Sequence, residues 1–289
     1  MALDKLRILK RPKLCEPRML LGFSGWMDAG EVSSGTVNSL IDRLDTVKFA
    51  EIASDGFYIC SFPGPMEMTA LFRPHTKIVD GVVKSFEVAR NEFYYSSEHN
   101  LILFLGKEPN LHWPDFADCI FSVCSQFGVS TVYFAGSIAG LVPHTREPKL
   151  FCSLSDENLK DNLQHYGVNF ANYEGPASIV TYLTVNASSH GLGMANFVTT
   201  VPAYVQGSNP KCIETMARRL SGILDVHVEL DDLRLMSDEF EKKLGEVVKD
   251  QPELAENIQK LEEDYDNEIF NHEMGDLKDW LEQQGIRLD

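Results

Sequence analysis

Arg18-Met19-Leu20-Leu21-Gly22-Phe23 runs directly into Ser24-Gly25-Trp26-Met27-Asp28-Ala29-Gly30, and Val37, Leu40, Ile41 and Leu44 then recur on one helical face. An apolar run of strand length, a glycine-bracketed turn and a stripe of helical period together form a strand-turn-helix unit. The same order of signals returns along the chain. Leu101 to Leu105 leads through Gly106 to Phe116, Ile120, Val123 and Phe127, and Thr131 to Ala135 leads into Gly136. Leu159, Leu163 and Tyr166 mark a further helix closed by Gly167, and Asn196 to Val201 precedes Ile213, Met216, Ala217, Leu220 and Leu224. Strands that are apolar throughout are buried on both faces. The alternation therefore predicts an α/β fold of three-layer sandwich type, with a mainly parallel sheet between two helical layers. Residues 50–95 break the pattern: short strand signals with bends at Pro63-Gly64-Pro65 and Arg73-Pro74 predict antiparallel additions at one sheet edge.

Composition narrows the function classes. The 289 residues are 44% hydrophobic and carry 26 basic against 43 acidic side chains, a net charge of −17. A field of that sign repels polyanions, so neither nucleic acid nor an anionic membrane is an expected partner. The longest apolar run, Leu101-Ile102-Leu103-Phe104-Leu105, is too short to span a bilayer. No uninterrupted apolar stretch follows the basic residues Lys5 to Lys13, so a signal peptide is not expected and the predicted location is cytoplasmic. Six cysteines are scattered among apolar neighbours without a Cys-x-x-Cys pair. They read as core residues, and neither a metal nor a cofactor is expected.

The charge is concentrated at the end. Residues 231–289 hold a net charge of −12, against −5 for residues 1–230. This divides the chain into an α/β core, 1–230, and an acidic helical extension, 231–289. Met236, Phe240, Leu244 and Val247 form one apolar stripe of the extension, and Leu254, Ile258, Leu261, Tyr265 and Ile269 form a second behind Pro252. Asp276 is placed to cap a last short helix carrying Leu277, Trp280 and Leu281, ended by Gly285. One-sided stripes must be covered, either by the chain's own core or by a neighbouring subunit.

Ligands of open α/β sheets sit beyond the carboxyl ends of the strands. Three loops fall there, and a fourth is placed to face them. In the first, Gly25, Trp26, Asp28 and Gly30 could hold an anion at the following helix, or form a turn with Trp26 packed over it. It matches neither the dinucleotide nor the P-loop pattern. In the second, Lys107 and Glu108 read as a base and its partner or as a surface ion pair, and Trp113 anchors the following helix. The third is a glycine-rich turn, Gly136 and Ser137, leading to Pro143-His144-Thr145-Arg146. Here His144 could move a proton and Arg146 could hold a carboxylate or phosphate, or Arg146 could tie the loop to a core carboxylate. In the fourth, Glu174-Gly175-Pro176-Ala177-Ser178 opens a helix. Glu174 is a general-base candidate facing His144, and Ser178 lies at the helix's positive end. As an enzyme the chain would be a hydrolase or phosphorylase-type transferase working among these loops, with His144, Glu174 and Asp28 as catalytic candidates. No Gly-x-Ser-x-Gly elbow or His-Glu-x-x-His pair occurs.

Gly25-Trp26-x-Asp28-Ala29-Gly30, Arg73-Pro74, Gly106-x-Glu108-Pro109 with Trp113, Gly136 leading to Pro143-His144-Thr145-Arg146, Gly175-Pro176 and Pro202-x-Tyr204 occur in that order. Over about residues 18–225 this series resembles the family named after proteasome assembly chaperone 2. Within it the chain looks most like the actinobacterial branch, in which an acidic helical extension follows the core. The resemblance implies a phosphorylase/hydrolase-like core and a non-catalytic role in recognising other protein chains, since eukaryotic and archaeal relatives escort or bind proteasome subunits. It also implies a homo-oligomer, for which a trimer is the expectation. The family has carried a label linking it to ATP-grasp enzymes, and no nucleotide loop here supports that label. Chaperones that dock into proteasome pockets often end in hydrophobic-Tyr-any residue, whereas this chain ends Arg287-Leu288-Asp289.

Overall fold

The computed structural model describes residues 2–283. The chain begins with β1 (Leu6–Ile8), β2 (Arg18–Ser24), α1 (Val32–Arg43), β3 (Val47–Ile52), α2 (Met66–Ala70), β4 (His75–Val79) and β5 (Val82–Glu87). It continues through β6 (Glu92–Ser96), β7 (Leu101–Lys107), α3 (Trp113–Phe127), β8 (Thr131–Gly140), β9 (Leu150–Leu154), α4 (Lys160–Leu163) and β10 (Asn169–Phe170). The remaining elements are α5 (Ile179–Ala187), β11 (Gly193–Pro202), α6 (Pro210–Ile223), α7 (Asp231–Lys249) and α8 (Pro252–Gln283).

One nine-stranded sheet has the order β1-β3-β6-β7-β2-β8-β11-β9-β10. The four central strands β7, β2, β8 and β11 are parallel. Successive side chains of β2 alternate between two cores, as strand geometry requires. Met19, Leu21 and Phe23 join Phe104, Phe116, Ile120 and Leu183 under α3 and α5. Leu20 joins Leu103, Phe197, Val37, Met216 and Leu220 under α1 and α6. The chain is thus the three-layer α/β sandwich that the alternation predicts. Gly22 lets α1 approach β2 closely, because a Cβ there would lie 2.8 Å from the Ser33 carbonyl oxygen and 2.6 Å from Val37. Ser33 closes the contact: its hydroxyl accepts from Phe23 N at 2.9 Å and donates to the Ala135 carbonyl at 2.5 Å.

Several local expectations need correction. β8 continues through Gly140, paired with β11 as far as Pro202, so Gly136 and Ser137 lie in a strand and not in a glycine-rich turn. The 159–166 helix is broken into one turn of α-helix between 3-10 turns, though Gly167 does close it in the left-handed region. In residues 50–95, β3 and β6 are the antiparallel edge strands foreseen. β4 and β5, however, form a separate two-stranded sheet.

That hairpin turns at Asp80-Gly81, both with positive φ, as a two-residue hairpin turn demands. Both of its strands face solvent. Met66, Leu71, Ile78, Val83, Phe86 and Val88 on this arm are exposed, Phe86 to 63%.

α7 packs along α6. It buries Leu233, Ser237 and Val248 with Phe240 and Leu244 beside them, while Met236 and Val247 face outward. The stripe is therefore rotated from the one read in the sequence, and Leu233 and Val248 are its true ends. α8 begins at Pro252 and buries Ile258, with Leu254, Leu261 and Tyr265 half-buried. It covers the chain's own core, at the loop after β8. Asp276 starts no new helix, because α8 runs unbroken to Gln283. The expected stop at Gly285 and the Arg287-Leu288-Asp289 end lie outside the described residues.

Candidate functional site

Three of the loops singled out in the sequence converge beyond β2, β7 and β8, and the hydrogen bonds there are structural. Glu108 is the hinge. Its carboxylate accepts from Trp26 N at 2.9 Å and from Ile179 N at 3.1 Å, while its own N–H donates to the Ser24 carbonyl at 2.8 Å. A negative charge at the first turn of α5 is favoured by the helix dipole. The carboxylate thus fastens two loops and the α5 N-terminus together, and it is not paired with Lys107 as a base. Gly25 lies directly against the Glu108 side chain. Trp26 is 64% exposed and does not pack over the turn, because the Glu108 contact holds the backbone there without it. Trp113 does anchor its helix, its indole donating to the Pro109 carbonyl at 2.8 Å.

The Asp28 carboxylate accepts from Ser34 N at 3.0 Å and from Ser34 Oγ at 2.6 Å, and burial raises its pKa despite these bonds. Ser137 is fully buried and donates to the Ala29 carbonyl at 2.7 Å. Gly30 sits against Asn209 and Val201, and Gly136 against the Phe134 ring. Ser178 caps α5 in a capping box with Thr181, two residues after Pro176, so the helix starts later than the sequence suggested. Glu174 is exposed, and its side chain forms no hydrogen bond or ion pair among the described residues. Nothing brings it to His144.

The loop after β8 is held by Tyr204, α6 and α8, with α7 bracing the α6 contact. His144 is 4% exposed, and the Tyr204 hydroxyl accepts from its backbone N–H at 2.8 Å. The same hydroxyl lies 2.9 Å from His144 Nδ1, within hydrogen-bond distance of the imidazole. Burial pushes the His144 pKa below its ordinary value. Lys211 of α6 donates to the His144 carbonyl at 2.7 Å and to Glu241 of α7 at 2.5 Å. Arg146 grips Asp266 of α8 bidentately, through Nε at 2.8 Å and Nη2 at 2.7 Å, and Thr145 donates to Glu262. The carboxylates that hold Arg146 therefore belong to the C-terminal helix, not to the core. Sequence reading missed Lys211, Glu241, Glu262 and Asp266 as partners of this loop. The i, i+4 spacing of Glu262 and Asp266 places them on one helical face, but only the fold brings that face to residue 146.

Neutral His144 makes stability depend on pH. Its folded-state pKa is lowered, so the unfolded chain takes up a proton that the native chain resists. Stability should fall as pH drops through the ordinary imidazole range, near 6.5. A His144→Gln variant should lose that slope in denaturant titrations at pH 7.5 and pH 5.5.

A cavity of about 140 Å³ lies between this loop and the C-terminal helices, lined by Val142, Pro143, Phe151, Phe240, Leu261 and Tyr265 among others. Among the described residues no cluster of His, Cys, Asp and Glu could hold a metal ion, and no helix is long and apolar enough to cross a membrane.

A parallel-centred three-layer sandwich whose strand-end loops are tied by structural bonds, and which carries a separate exposed hairpin, defines an α/β protein of doubly covered mixed-sheet type. The chain belongs to the PAC2 family, whose model matches residues 22–248. No curated protein matches it in sequence. A Mycobacterium tuberculosis protein of unknown function shares the fold at a TM-score of 0.82 and 21% identity, over 94% of this chain and 92% of that one. A proteasome-assembly chaperone homologue from the same organism is 26% identical, with a TM-score of 0.72 over 83% of this chain and 99% of its own. An archaeal proteasome activator from Pyrococcus furiosus shares the fold at 20% identity and a TM-score of 0.63, over 84% and 97% of the two chains.

Proposed function

We propose that this protein is a non-catalytic, protein-binding factor of the assembly-chaperone type, cytoplasmic and self-associating, with a trimer as its state. The observation that carries this reading is the exposed arm of residues 66–88. An isolated two-stranded hairpin is marginal in water, and one with Ile78, Val83 and Phe86 all open to solvent needs a protein surface to cover it. Membership of the PAC2 family and likeness to a proteasome-assembly chaperone homologue support the same class. The hydrolase or phosphorylase reading finds no support at the strand ends. Asp28, Ser137, Ser178 and His144 are each engaged by a structural partner, and Glu174 stands apart from them.

The arm variant Val83→Asp with Phe86→Asp tests this reading. Both side chains face solvent in the single chain, so its folding should be almost untouched. Sedimentation equilibrium should show a larger species for the wild type and a 32.5 kDa monomer for the variant. Identical masses for the two would remove the arm as the associating surface.

A further inference from the structure

α8 lies on the core in the manner of a bound ligand. Its side chains at 262, 265, 266 and 268 meet a row of polar groups on the loop after β8. Asp266 pairs with Arg146, and Glu268 pairs with Lys149 at 2.7 Å. Tyr265 donates to the Glu147 carbonyl at 2.8 Å and receives the Lys149 ammonium over its ring at 4.3 Å. Glu262 accepts from Thr145 and lies 3.5 Å from Arg146. Every ionic partner on the core side is basic and every one on α8 is acidic.

We infer that residues 144–149 form a docking site for an acidic, tyrosine-bearing helix of a partner protein, and that α8 occupies this site in cis as its competitor. Two further observations favour a removable cover over a fixed part of the core. Asp266 and Glu268 remain open to water, by 55% and 70% of their side chains, so their two pairs are weak and screened by salt, while Glu262 is more enclosed. Beneath them α8 spans the 140 Å³ cavity without filling it, with Leu261 and Tyr265 only at its wall. A partner helix with the same acidic spacing and a larger apolar group at the Leu261 position would fill that space. It could then displace α8, whose advantage is the effective concentration given by covalent attachment. This site deepens the protein-binding reading and rests on it.

The test uses the full chain and a fluorescein-labelled peptide of residues 252–271 as probe. Glu262→Lys with Asp266→Lys weakens the cis cover, and by fluorescence anisotropy this variant should bind the native-sequence peptide at least tenfold tighter than the wild type does, with affinity falling as salt rises. An Arg146→Glu chain should reject the native peptide and take up a peptide carrying the two lysines. Circular dichroism keeps misfolding separate from loss of binding. The site is overturned if the released variant binds no more tightly than the wild type, or binds a scrambled peptide of the same composition equally well. Either result would leave the arm variant's sedimentation test standing, so the two readings fail separately.

Discussion

Replacing Ile258 and Leu261 together by aspartate is expected to lift α8 from the core while the sheet stays folded. Ile258 is buried on that helix, and Leu261 faces the cavity. Two carboxylates placed there would have to be desolvated without partners, at a cost of several kcal/mol. The surface ion pairs of Arg146 and Lys149, each about 0–1 kcal/mol, cannot offset that. Detached, α8 would retain little helix, because a charged helix of this kind depends on packing for its order. Its 32 residues would then contribute to a clear loss of far-ultraviolet helical signal. The α/β core should still unfold cooperatively. Unchanged helix content and an unchanged melting curve would mean that the packed face of α8 does not hold it.

Removing the Glu108 carboxylate should cost more than removing any catalytic candidate. Glu108→Ala leaves the N–H groups of Trp26 and Ile179 without their acceptor, and Ile179 is fully buried at the start of α5. The expected loss is about 2–4 kcal/mol, from two orphaned donors and a lost helix-dipole partner. For a chain of this size that lowers the melting temperature by roughly 3–7 °C. Glu108→Gln keeps one acceptor oxygen and should fall between the two. A melting temperature within a degree of wild type in the alanine variant would show that the loops are fastened by other contacts.

The layered fold was legible because each strand-turn-helix unit carries its own periodicity. Met19 to Phe23 and Val37 to Leu44 are local signals, and local signals survive in a sequence. Where long-range pairing decides, they fail. β8 extends past Ala135 because β11 lies beside it as far as Pro202, and glycines that read as a turn are a ladder instead. The rotated stripe of α7 has the same origin. Met236 and Val247 fit the helical period, but the surface offered by α6 selects the face through Leu233 and Val248. The candidate residues were found by composition, and their company was not. Arg146 was visible as a charged residue in a loop, yet its partners lie about a hundred and twenty positions away on a helix that only the fold brings there. Glu108 looked like half of an ion pair, since no sequence pattern marks a carboxylate that receives two backbone N–H groups from different loops. The separation of β4 and β5 from the main sheet was equally hidden. Their alternation is ordinary, and only the absence of burial on either face sets them apart.

Whether the arm is a protein-binding surface covered by another copy of the chain is decided by hydrogen exchange of residues 66–88 across a range of protein concentrations. Protection at β4 and β5 should rise with concentration and collapse to the rate of an open hairpin on dilution, while the central strands β2, β7 and β8 stay equally protected throughout. Exchange in the arm that is fast and independent of concentration would contradict it.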